Sequence, residues 1–399
     1  MERIKNILLY SLFPAFSACT EPFPIATIEF DDILVVEGTL TDETKRQEVK
    51  LSRTIQLIDF GLDVVNNANV SIEDSNGNMF TFSLDAETQT YLSDIEFQAV
   101  QNTLYTLKVE TPDGRGYTSL AVELPPEAPI KQVYTEFISE VGKEGVQVFV
   151  DSDDTLSDAQ YFRYEYEETY KVQLPANAQF DWEISLYDEF TRTGALELSP
   201  RDWSDKEFCY PSNGSEGIIQ TSTSDQDENR IVRFPIRFID KGDPVLRRRY
   251  SILVKQFVQN LEAFTFYQIL EDLGNVESLL SQGQPGFVKG NIVSDTDDDE
   301  KVLGYFGASS VSSQRIYFDH TDFGLPLPPY YIECEWLVYP EISFELLKRK
   351  LELENFQIYK FDEGVYNGIG PGPIYFIVQS ECSECTAYST QIKPDFWED

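Results

Sequence analysis

The first part of the chain alternates between hydrophobic and polar residues. Typical segments are Val70-Ser71-Ile72, Phe80-Thr81-Phe82-Ser83-Leu84 and Tyr105-Thr106-Leu107-Lys108-Val109. A period of two is typical of a strand with one buried face. Turn-forming segments separate these strands, as at 74–78 and Pro112-Asp113-Gly114. The pattern predicts an N-terminal immunoglobulin-like or transthyretin-like β-sandwich over residues 32–124, which we expect to close a core of its own.

The remainder of the chain predicts a larger β-rich domain with a few packed helices. A Pro-rich linker at 125–129 precedes this domain, which covers 130–399 and contains clear strand patterns at 146–150, 162–166 and 250–254. Two helices are predicted to pack on a sheet, one near 261–273 and one near 341–354. The fold class is therefore predicted to be mainly β.

Each predicted helix has an apolar stripe, and the first has end signals. Asn260 is a plausible N-cap for the first helix, and Gly274 follows its last predicted turn. The apolar stripes consist of Leu261, Phe264, Phe266 and Ile269 in the first helix, and Phe344, Leu347 and Leu351 in the second. These stripes are the faces that we expect to be buried.

The N-terminus has the pattern of a lipoprotein signal peptide. Arg3 and Lys5 precede a short apolar run at 7–13, which is too short to span a bilayer. The run Ala15-Phe16-Ser17-Ala18-Cys19 then matches a lipobox. We predict a signal peptide at 1–18, lipidation of Cys19 and a tether at 19–31. The alternative is an ordinary signal peptide in which a cysteine follows the cleavage site by chance.

The composition is strongly acidic. The chain has 31 Lys and Arg against 69 Asp and Glu, a formal net charge of −38, and 14% aromatic residues that can supply a large core. Such a charge repels phosphate backbones, so nucleic acid is not expected as a partner. A solvated acidic exterior is the simplest interpretation, and divalent cations are an alternative class of partner.

The cysteines other than Cys19 are four in number, which suits an exported protein. A bridge between Cys382 and Cys385 would close only a small ring. We therefore predict that each of these two reaches back to one of Cys209 and Cys334, which ties the C-terminal tail to the second domain. A zinc site and a redox pair are the alternatives, but the chain has a single histidine and the Cys-x-x-Cys segment does not begin a helix.

Motifs that would indicate catalysis are weak. His320 lies between two aspartates, at 319 and 322, but no activated serine can be assigned to it, so we interpret it as a surface histidine. The glycines and prolines at 368–373 indicate a structural turn, because the prolines lack amide donors. A pair of catalytic carboxylates cannot be identified among so many acids. We predict no catalytic residues and no cofactor.

One acidic segment has oxygen ligands at spacings that suit calcium. The candidate ligands are Asp295, Asp297, Asp299 and Glu300. The segment lacks the glycine and the terminal glutamate spacing of an EF-hand, which favours a solvated acidic loop. No metal site is therefore assigned.

Ordered motifs along the chain resemble a known family. The early motifs are Val35-Val36-Glu37-Gly38-Thr39-Leu40, Val49-Lys50-Leu51-Ser52-Arg53, Ala68-Asn69-Val70-Ser71-Ile72 and Asp113-Gly114-Arg115-Gly116-Tyr117. The later ones are Arg249-Tyr250-Ser251-Ile252-Leu253-Val254, Gly286-Phe287-Val288-Lys289-Gly290-Asn291, Val302-Leu303-Gly304-Tyr305-Phe306 and Pro394-Asp395-Phe396-Trp397. Together they resemble the Bacteroidota outer-membrane lipoproteins of domain-of-unknown-function family four-two-four-nine. The chain departs from that family after Cys385, where Ala387-Tyr388-Ser389 stands in place of the usual Gly-Gly pair.

The resemblance implies a location and a partner but no catalytic residues. Members of the family are usually encoded beside TonB-dependent receptors of the SusC kind. Thr20 follows Cys19 where an aspartate would signal inner-membrane retention, so we expect a lipid-anchored protein of the outer membrane. Acidic residues near the anchor, Glu21 and Asp31-Asp32, are compatible with export to the cell surface, which we expect rather than the periplasmic face. The expected function is an accessory binding subunit of a β-barrel complex such as a TonB-dependent transporter. An extracellular glycan-acting hydrolase and a structural scaffold or adhesin of the envelope are the alternatives.

Overall fold

The computed structural model describes residues 32–55, 63–153, 158–176, 178–201, 208–274, 288–340, 344–366, 369–385 and 389–399. The predicted signal peptide, Cys19 and the tether lie outside these residues. The described part of the chain is mainly β, which confirms this part of the predicted fold class.

The strands in the first part of the chain are β1 (Leu34–Thr41), β2 (Glu48–Arg53), β3 (Asp63–Val64), β4 (Asn69–Asp74), β5 (Met79–Asp85), β6 (Thr90–Ser93), β7 (Leu104–Glu110), β8 (Gly116–Ser119) and β9 (Val122–Glu123). The following strands are β10 (Ile130–Glu140), β11 (Lys143–Asp153), β12 (Tyr161–Tyr170), β13 (Val172–Gln173), β14 (Phe180–Asp188), β15 (Thr193–Pro200), β16 (Phe208–Cys209), β17 (Ser212–Gly214), β18 (Ile219–Ser222), β19 (Arg230–Asp240) and β20 (Tyr250–Gln259). The later strands are β21 (Ile292–Ser294), β22 (Val302–Ser309), β23 (Val311–Phe318), β24 (Trp336–Pro340), β25 (Phe356–Tyr366) and β26 (Ile369–Gln379). The α-helices are α1 (Leu261–Gly274) and α2 (Phe344–Glu352), and short 3-10 helices span Pro244–Leu246, His320–Phe323 and Ser380–Cys382.

The alternating segments near the N-terminus form one large sheet. Its strand order is β21-β8-β7-β4-β5-β6-β2-β1-β22, with β3 paired to β2 and β9 paired to β7. The apolar members of the alternation point into a common core, where Val36, Leu51, Ile72 and Leu107 are at most 1% exposed. The predicted strand periodicity is therefore confirmed in this region.

Two strands of this sheet come from the later part of the chain. β22 pairs in parallel with β1 along its whole length, from Leu34 opposite Val302 to Thr41 opposite Ser309, and β21 pairs with β8. These two end strands also contact each other, so the sheet is nearly closed and barrel-like. The self-contained sandwich expected over 32–124 is not confirmed, because residues 292–309 complete the sheet that this segment begins.

The side chain of Asn291 bridges the seam between the two ends of the nearly closed sheet. Asn291, which is 7% exposed, donates from Nδ2 to the carbonyl of Phe306 at 2.7 Å and accepts the Phe306 N–H at Oδ1 at 2.9 Å. The backbone approaches closely beside it, since a Cβ on Gly304 would lie 1.9 Å from the Val36 carbonyl oxygen. Gly304 also has a φ of +119°. Only glycine satisfies both conditions here.

A β-sandwich forms the second core. One layer is β10-β11-β19, and the other is β17-β12-β20-β23 with β18 paired to β12. Val146, Val148 and Val150 of the first layer share this core with Ile252 and Val254 of the second. The predicted strands at 146–150, 162–166 and 250–254 are thereby confirmed.

The Pro-rich linker runs between the two cores and is hydrogen-bonded to them. The Pro126 carbonyl accepts from the Ser310 hydroxyl at 2.8 Å, and the Ala128 carbonyl accepts from the Gln256 amide at 2.6 Å. The Pro129 carbonyl accepts from the Ser152 hydroxyl at 3.1 Å. The linker is thus a fixed part of the junction between the barrel-like sheet and the sandwich.

A third, smaller core contains the second helix. The sheet β24-β26-β25, the hairpin β14-β15 and helix α2 surround it. Leu347 and Leu351 of α2 are buried against Phe356 and Ile358, as the predicted stripe requires. Of the predicted helix at 341–354, residues 341–343 lie outside the described part of the chain.

Helix α1 lies at the junction of the first two cores and begins where its cap was predicted. The Ala263 N–H donates to Oδ1 of Asn260 at 2.8 Å, which is the geometry of an N-cap. Ala263 and Phe266 are buried against Tyr305 of β22, and the helix also contacts β12. Leu261 was wrongly placed on the buried stripe and is 53% exposed, because the N-terminus of the helix overhangs a cleft.

Candidate functional site

A cleft lies where the barrel-like sheet, the linker and the sandwich meet. Its volume is about 700 Å³. Segments 120–126, 158–161 and 258–262 line it, together with residues 101, 104, 291 and 305. These segments are the end of the barrel-like sheet with the linker, the start of β12, and the end of β20 with the start of α1.

Several polar residues of the cleft form hydrogen bonds that connect its walls. Asn260 caps α1 and also accepts from the Tyr305 hydroxyl at 3.3 Å. Asn291 holds the seam of the sheet, and Gln101 donates to the Pro125 carbonyl at 3.0 Å. The walls are therefore fixed by hydrogen bonds that join all three elements.

Other polar groups of the cleft have no partner in the described residues. Gln259 is 5% exposed, and its Oε1 is buried without a hydrogen bond. Glu123, Asp158 and Glu262 are exposed at the cleft and form no ion pair with any described residue. Chemically, this arrangement can accept hydrogen bonds and attract positive charge, and it contains no nucleophile paired with a base.

A second groove lies between the barrel-like sheet and the middle of β12 and β20. It consists of two adjoining cavities of about 390 and 360 Å³ that share Lys50, Arg163 and Lys255. Arg163 lies over the rings of Phe257 and Tyr267, at 4.7 and 4.8 Å, and forms an ion pair with Glu165. Lys255 pairs with Glu167 at 2.6 Å. Because its charges are largely paired with one another, we interpret this groove as a packed junction.

The candidate calcium ligands are not arranged around a common point. Among the described residues, no group of three or more acidic, His or Cys side chains could hold a metal ion. Glu300 instead accepts hydrogen bonds from Arg115 at 2.6 Å and from the Tyr117 hydroxyl at 2.8 Å. Burial favours a higher pKa for Glu300, but hydrogen bonds from Ser294 and Tyr117 and the Arg115 charge outweigh it and lower the pKa. Burial and Glu300 raise the pKa of Tyr117 to about 12.

His320 and the glycine- and proline-rich segment at 368–373 lie in regular secondary structure where the structure describes them. His320 begins a 3-10 helix, and its Nδ1 lies 3.1 Å from the Leu325 carbonyl. Residues 369–373, which were predicted to form a turn with residue 368, lie in β26, because they extend the ladder with β25. Residues 367 and 368 lie outside the described part of the chain.

The four cysteines come together in two pairs. Cys209 and Cys385 have a Cα–Cα distance of 5.8 Å, and Cys334 and Cys382 have one of 6.0 Å. These separations are typical of disulfides. Each tail cysteine reaches back to one earlier cysteine, as predicted. The tail beyond Cys385 also packs on the sandwich side, since Trp397 is 6% exposed and contacts Tyr210.

A buried charged cluster was not found from the sequence. Glu168, which is 6% exposed, accepts from Arg237 at 3.0 Å and from the Tyr250 hydroxyl. Burial first, and then the Glu168 charge, raise the pKa of Tyr250 well above its ordinary value. The cluster links the two layers of the sandwich, because Arg237 belongs to β19 and the other two residues to β12 and β20. The sequence gives no local signal for it, since its members are 13 to 82 residues apart.

The fold and the cleft define a mainly β protein with a cavity between a barrel-like sheet and a sandwich. Residues 20–315 match the family described as Domain of unknown function (DUF4249). The chain therefore belongs to this family. In the described residues, no helix is long and apolar enough to cross a membrane.

No curated protein is significantly similar to the chain. Among solved structures, it is similar to a DUF4785 family protein from Legionella pneumophila subsp. pneumophila strain Philadelphia 1, with 10% identity and a TM-score of 0.17. That similarity covers 56% of this chain and 52% of the other, so the chain spans about half the length of that protein.

Proposed function

We propose that this protein is an outer-membrane lipoprotein, exposed at the cell surface, that acts as an accessory binding subunit of a β-barrel complex such as a TonB-dependent transporter. The observation that carries the binding role is the cleft, whose walls are fixed by hydrogen bonds while Gln259 and the carboxylates keep unused acceptors. A rigid cavity with a few uncommitted polar groups is the usual form of a binding site.

The anchor in this proposal is Cys19, which follows the lipobox pattern of the sequence. Each buried methylene of an acyl chain contributes about 0.8 kcal/mol, so two or more chains suffice for stable anchoring. A tether over 19–31 would leave the cleft free to face a partner in the same membrane. Tethering also raises the effective concentration of the protein at that partner, which permits a modest intrinsic affinity.

A hydrolase is the second candidate, and the cleft gives it one specific observation. Glu123, Asp158 and Glu262 all line the cavity, and paired carboxylates are the usual catalytic groups of glycosidases. All three side chains are exposed to solvent, whereas a catalytic acid normally has a raised pKa in an apolar pocket. Binding is therefore the function that the geometry supports better.

The test is a native pull-down from outer membranes. An affinity tag inserted at the fully exposed Val141 in the β10-β11 turn avoids the docked C-terminal tail. We expect near-stoichiometric recovery of an outer-membrane β-barrel protein and no hydrolysis across a panel of glycans and peptides. A Cys19→Ala variant with the same tag is the matched control and should recover no barrel protein. Recovery of the tagged protein alone, with reproducible turnover of one glycan, would instead establish the hydrolase.

A further inference from the structure

The end of the hairpin β14-β15 carries two large apolar side chains in solvent. Phe190, in the turn, is 97% exposed, and Leu186 of β14 is 71% exposed. Leu186 lies directly opposite Ala195, which is also exposed, so these two residues share the solvent face of the hairpin. Exposed apolar side chains that occur singly need no explanation, but a group of them at one end of an element marks a candidate contact surface.

The turn that carries Phe190 is fixed by local hydrogen bonds. The Asp188 carboxylate accepts from the backbone N–H of Phe190 at 2.8 Å and from that of Thr191 at 3.0 Å. The Arg192 N–H donates to the Asp188 carbonyl at 2.8 Å. An aspartate that bonds the backbone two residues further on holds a turn in one conformation. The position of Phe190 is therefore set by the fold.

Helix α2 supports the hairpin end from the other face. The buried ring of Phe344 packs so closely on Gly194 that a Cβ at this glycine would lie 2.4 Å from the ring. The rings of Tyr187 and Phe344 are stacked with their centroids 6.3 Å apart, and Arg192 pairs with Glu345 at 3.0 Å. A preorganised aromatic side chain loses little conformational entropy on binding, which is typical of the anchor residues of protein interfaces.

Two carboxylates on the solvent face of the same hairpin oppose each other. Glu183 and Glu197 are directly paired across β14 and β15, and both are exposed. Like charges in this position are destabilising. Neither side chain forms an ion pair with a described residue, and the hairpin arginines Arg192 and Arg201 pair with other carboxylates. A basic group supplied from outside the chain would relieve this repulsion.

The charges select the kind of surface that can cover the hairpin end. Glu189 is exposed next to Phe190 in the chain, so the apolar side chains lie among acidic groups. Anionic lipid headgroups would be repelled by these carboxylates. A protein surface can instead combine an apolar pocket with a basic side chain, and arginine is enriched in protein interfaces. The observations therefore favour a protein over a membrane.

We propose that the end of hairpin β14-β15 docks a protein partner, whose apolar pocket receives Phe190 and whose Lys or Arg side chain lies against Glu183 and Glu197. Leu186 follows Glu183 by three residues, so the basic group of the partner should lie about 10 Å from the apolar contact at Leu186. The inference goes beyond the proposed function, because this surface lies outside the cleft and its partner need not be a β-barrel.

The test is photocrosslinking in intact cells that produce the full chain with the tag at Val141. The photoreactive side chain is p-benzoylphenylalanine at position 190, which keeps an aromatic group there, and the control position is the exposed Asn76 in the β4-β5 turn. We expect one protein adduct from position 190 alone, with Lys or Arg in the crosslinked segment of the partner. A lipid adduct, an adduct with a second copy of this chain, a crosslinked segment without a basic residue, or equal yields at both positions would each overturn the proposal.

Removing the opposed carboxylates tests the charge contact. In Glu183→Gln with Glu197→Gln, the adduct yield from position 190 should fall about fivefold or more, as expected for an ion pair of about 1 kcal/mol. The thermal midpoint should stay equal or rise, because the repulsion within the hairpin is removed. The matched control, Glu87→Gln with Glu96→Gln, removes two exposed carboxylates elsewhere and should leave the yield unchanged. An equal fall in both variants, an unchanged yield in the hairpin variant, or a lowered midpoint would overturn the charge contact.

Phe190→Ala tests the anchor. Binding of the crosslinked partner, measured with both purified proteins, should weaken about thirtyfold, as expected for an anchor residue of about 2 kcal/mol. The thermal midpoint should not change, because the Phe190 side chain is almost fully exposed. Ile95→Ala, at another exposed apolar residue, is the matched control and should leave binding unchanged. Equal binding by Phe190→Ala and the wild-type protein would overturn the proposal.

The outcomes separate this inference from the proposed function. Recovery of a β-barrel protein that forms no adduct from position 190, with no other protein adduct, would refute this inference alone. An adduct with a protein that is not a β-barrel, with no barrel protein recovered, would support this inference and refute the accessory role.

Discussion

Replacing Asn291 tests the nearly closed sheet most sharply. Its side chain forms two hydrogen bonds to the backbone of Phe306, which is fully buried, and β1 occupies the other edge of β22. In Asn291→Ala, the N–H and C=O of Phe306 lose these partners together. A typical buried polar group left unsatisfied costs about 1 to 3 kcal/mol, so the expected destabilisation for the two groups is about 2 to 6 kcal/mol.

The assay is guanidinium-induced unfolding of the full chain, followed by tryptophan fluorescence and circular dichroism. The matched control is Asn69→Ala, which removes one exposed hydrogen bond to Glu110. That control should change stability by no more than about 0.5 kcal/mol, as is usual for surface substitutions. A destabilisation below about 1 kcal/mol for Asn291→Ala would refute the reasoning, because the seam would then close without this side chain.

Three further predictions concern the barrel-like sheet, the two disulfides and Glu300. A fragment of residues 32–124 should not unfold cooperatively, whereas 32–325 should, since β21 and β22 complete the barrel-like sheet and β23 completes the sandwich layer. A cooperative transition in the shorter fragment by calorimetry would show a self-sufficient domain. Cys209→Ser should lower stability by about 1 kcal/mol more than Cys334→Ser in chemical unfolding, because loop-closure entropy grows with the sequence separations of 176 and 48 residues; the reverse order would contradict this. Glu300→Gln should lower the melting temperature at neutral pH. The lowered folded-state pKa means that Glu300 stabilises the fold above its ordinary pKa of 4.5, so the difference from the wild-type protein should shrink as the pH falls below 4.5 and through the folded-state pKa. A pH-independent difference would assign the effect to packing.

Local patterns in the sequence predict the local structure well. The strands near Ile72 and Leu107 follow from alternation, and α1 follows from the Asn260 cap and the apolar spacing. Leu261 was misplaced because helical periodicity does not show where the packing surface stops. The pairing of Cys382 and Cys385 with earlier cysteines could also be predicted from the sequence, because a disulfide between these two would close only a small ring.

No local pattern in the sequence predicts which strands pair when they lie far apart in the chain. The parallel partner of β1 lies about 270 residues further along the chain, and nothing in Leu34 or Val302 marks the pairing. The cleft depends on the same assembly, because it combines the end of the barrel-like sheet with the end of β20 and the start of α1. Gln259 and Glu262 therefore could not be selected among the many amides and acids of the sequence.

The most direct test of the central claim is native mass spectrometry of the complex extracted from outer membranes in mild detergent. The proposed function predicts a species that contains one copy of this protein, acylated at its first mature residue Cys19, together with one β-barrel protein. Dissociation in the gas phase should then release the acylated chain. A species with the mass of this chain alone, without acyl groups, would contradict both the anchor and the partner.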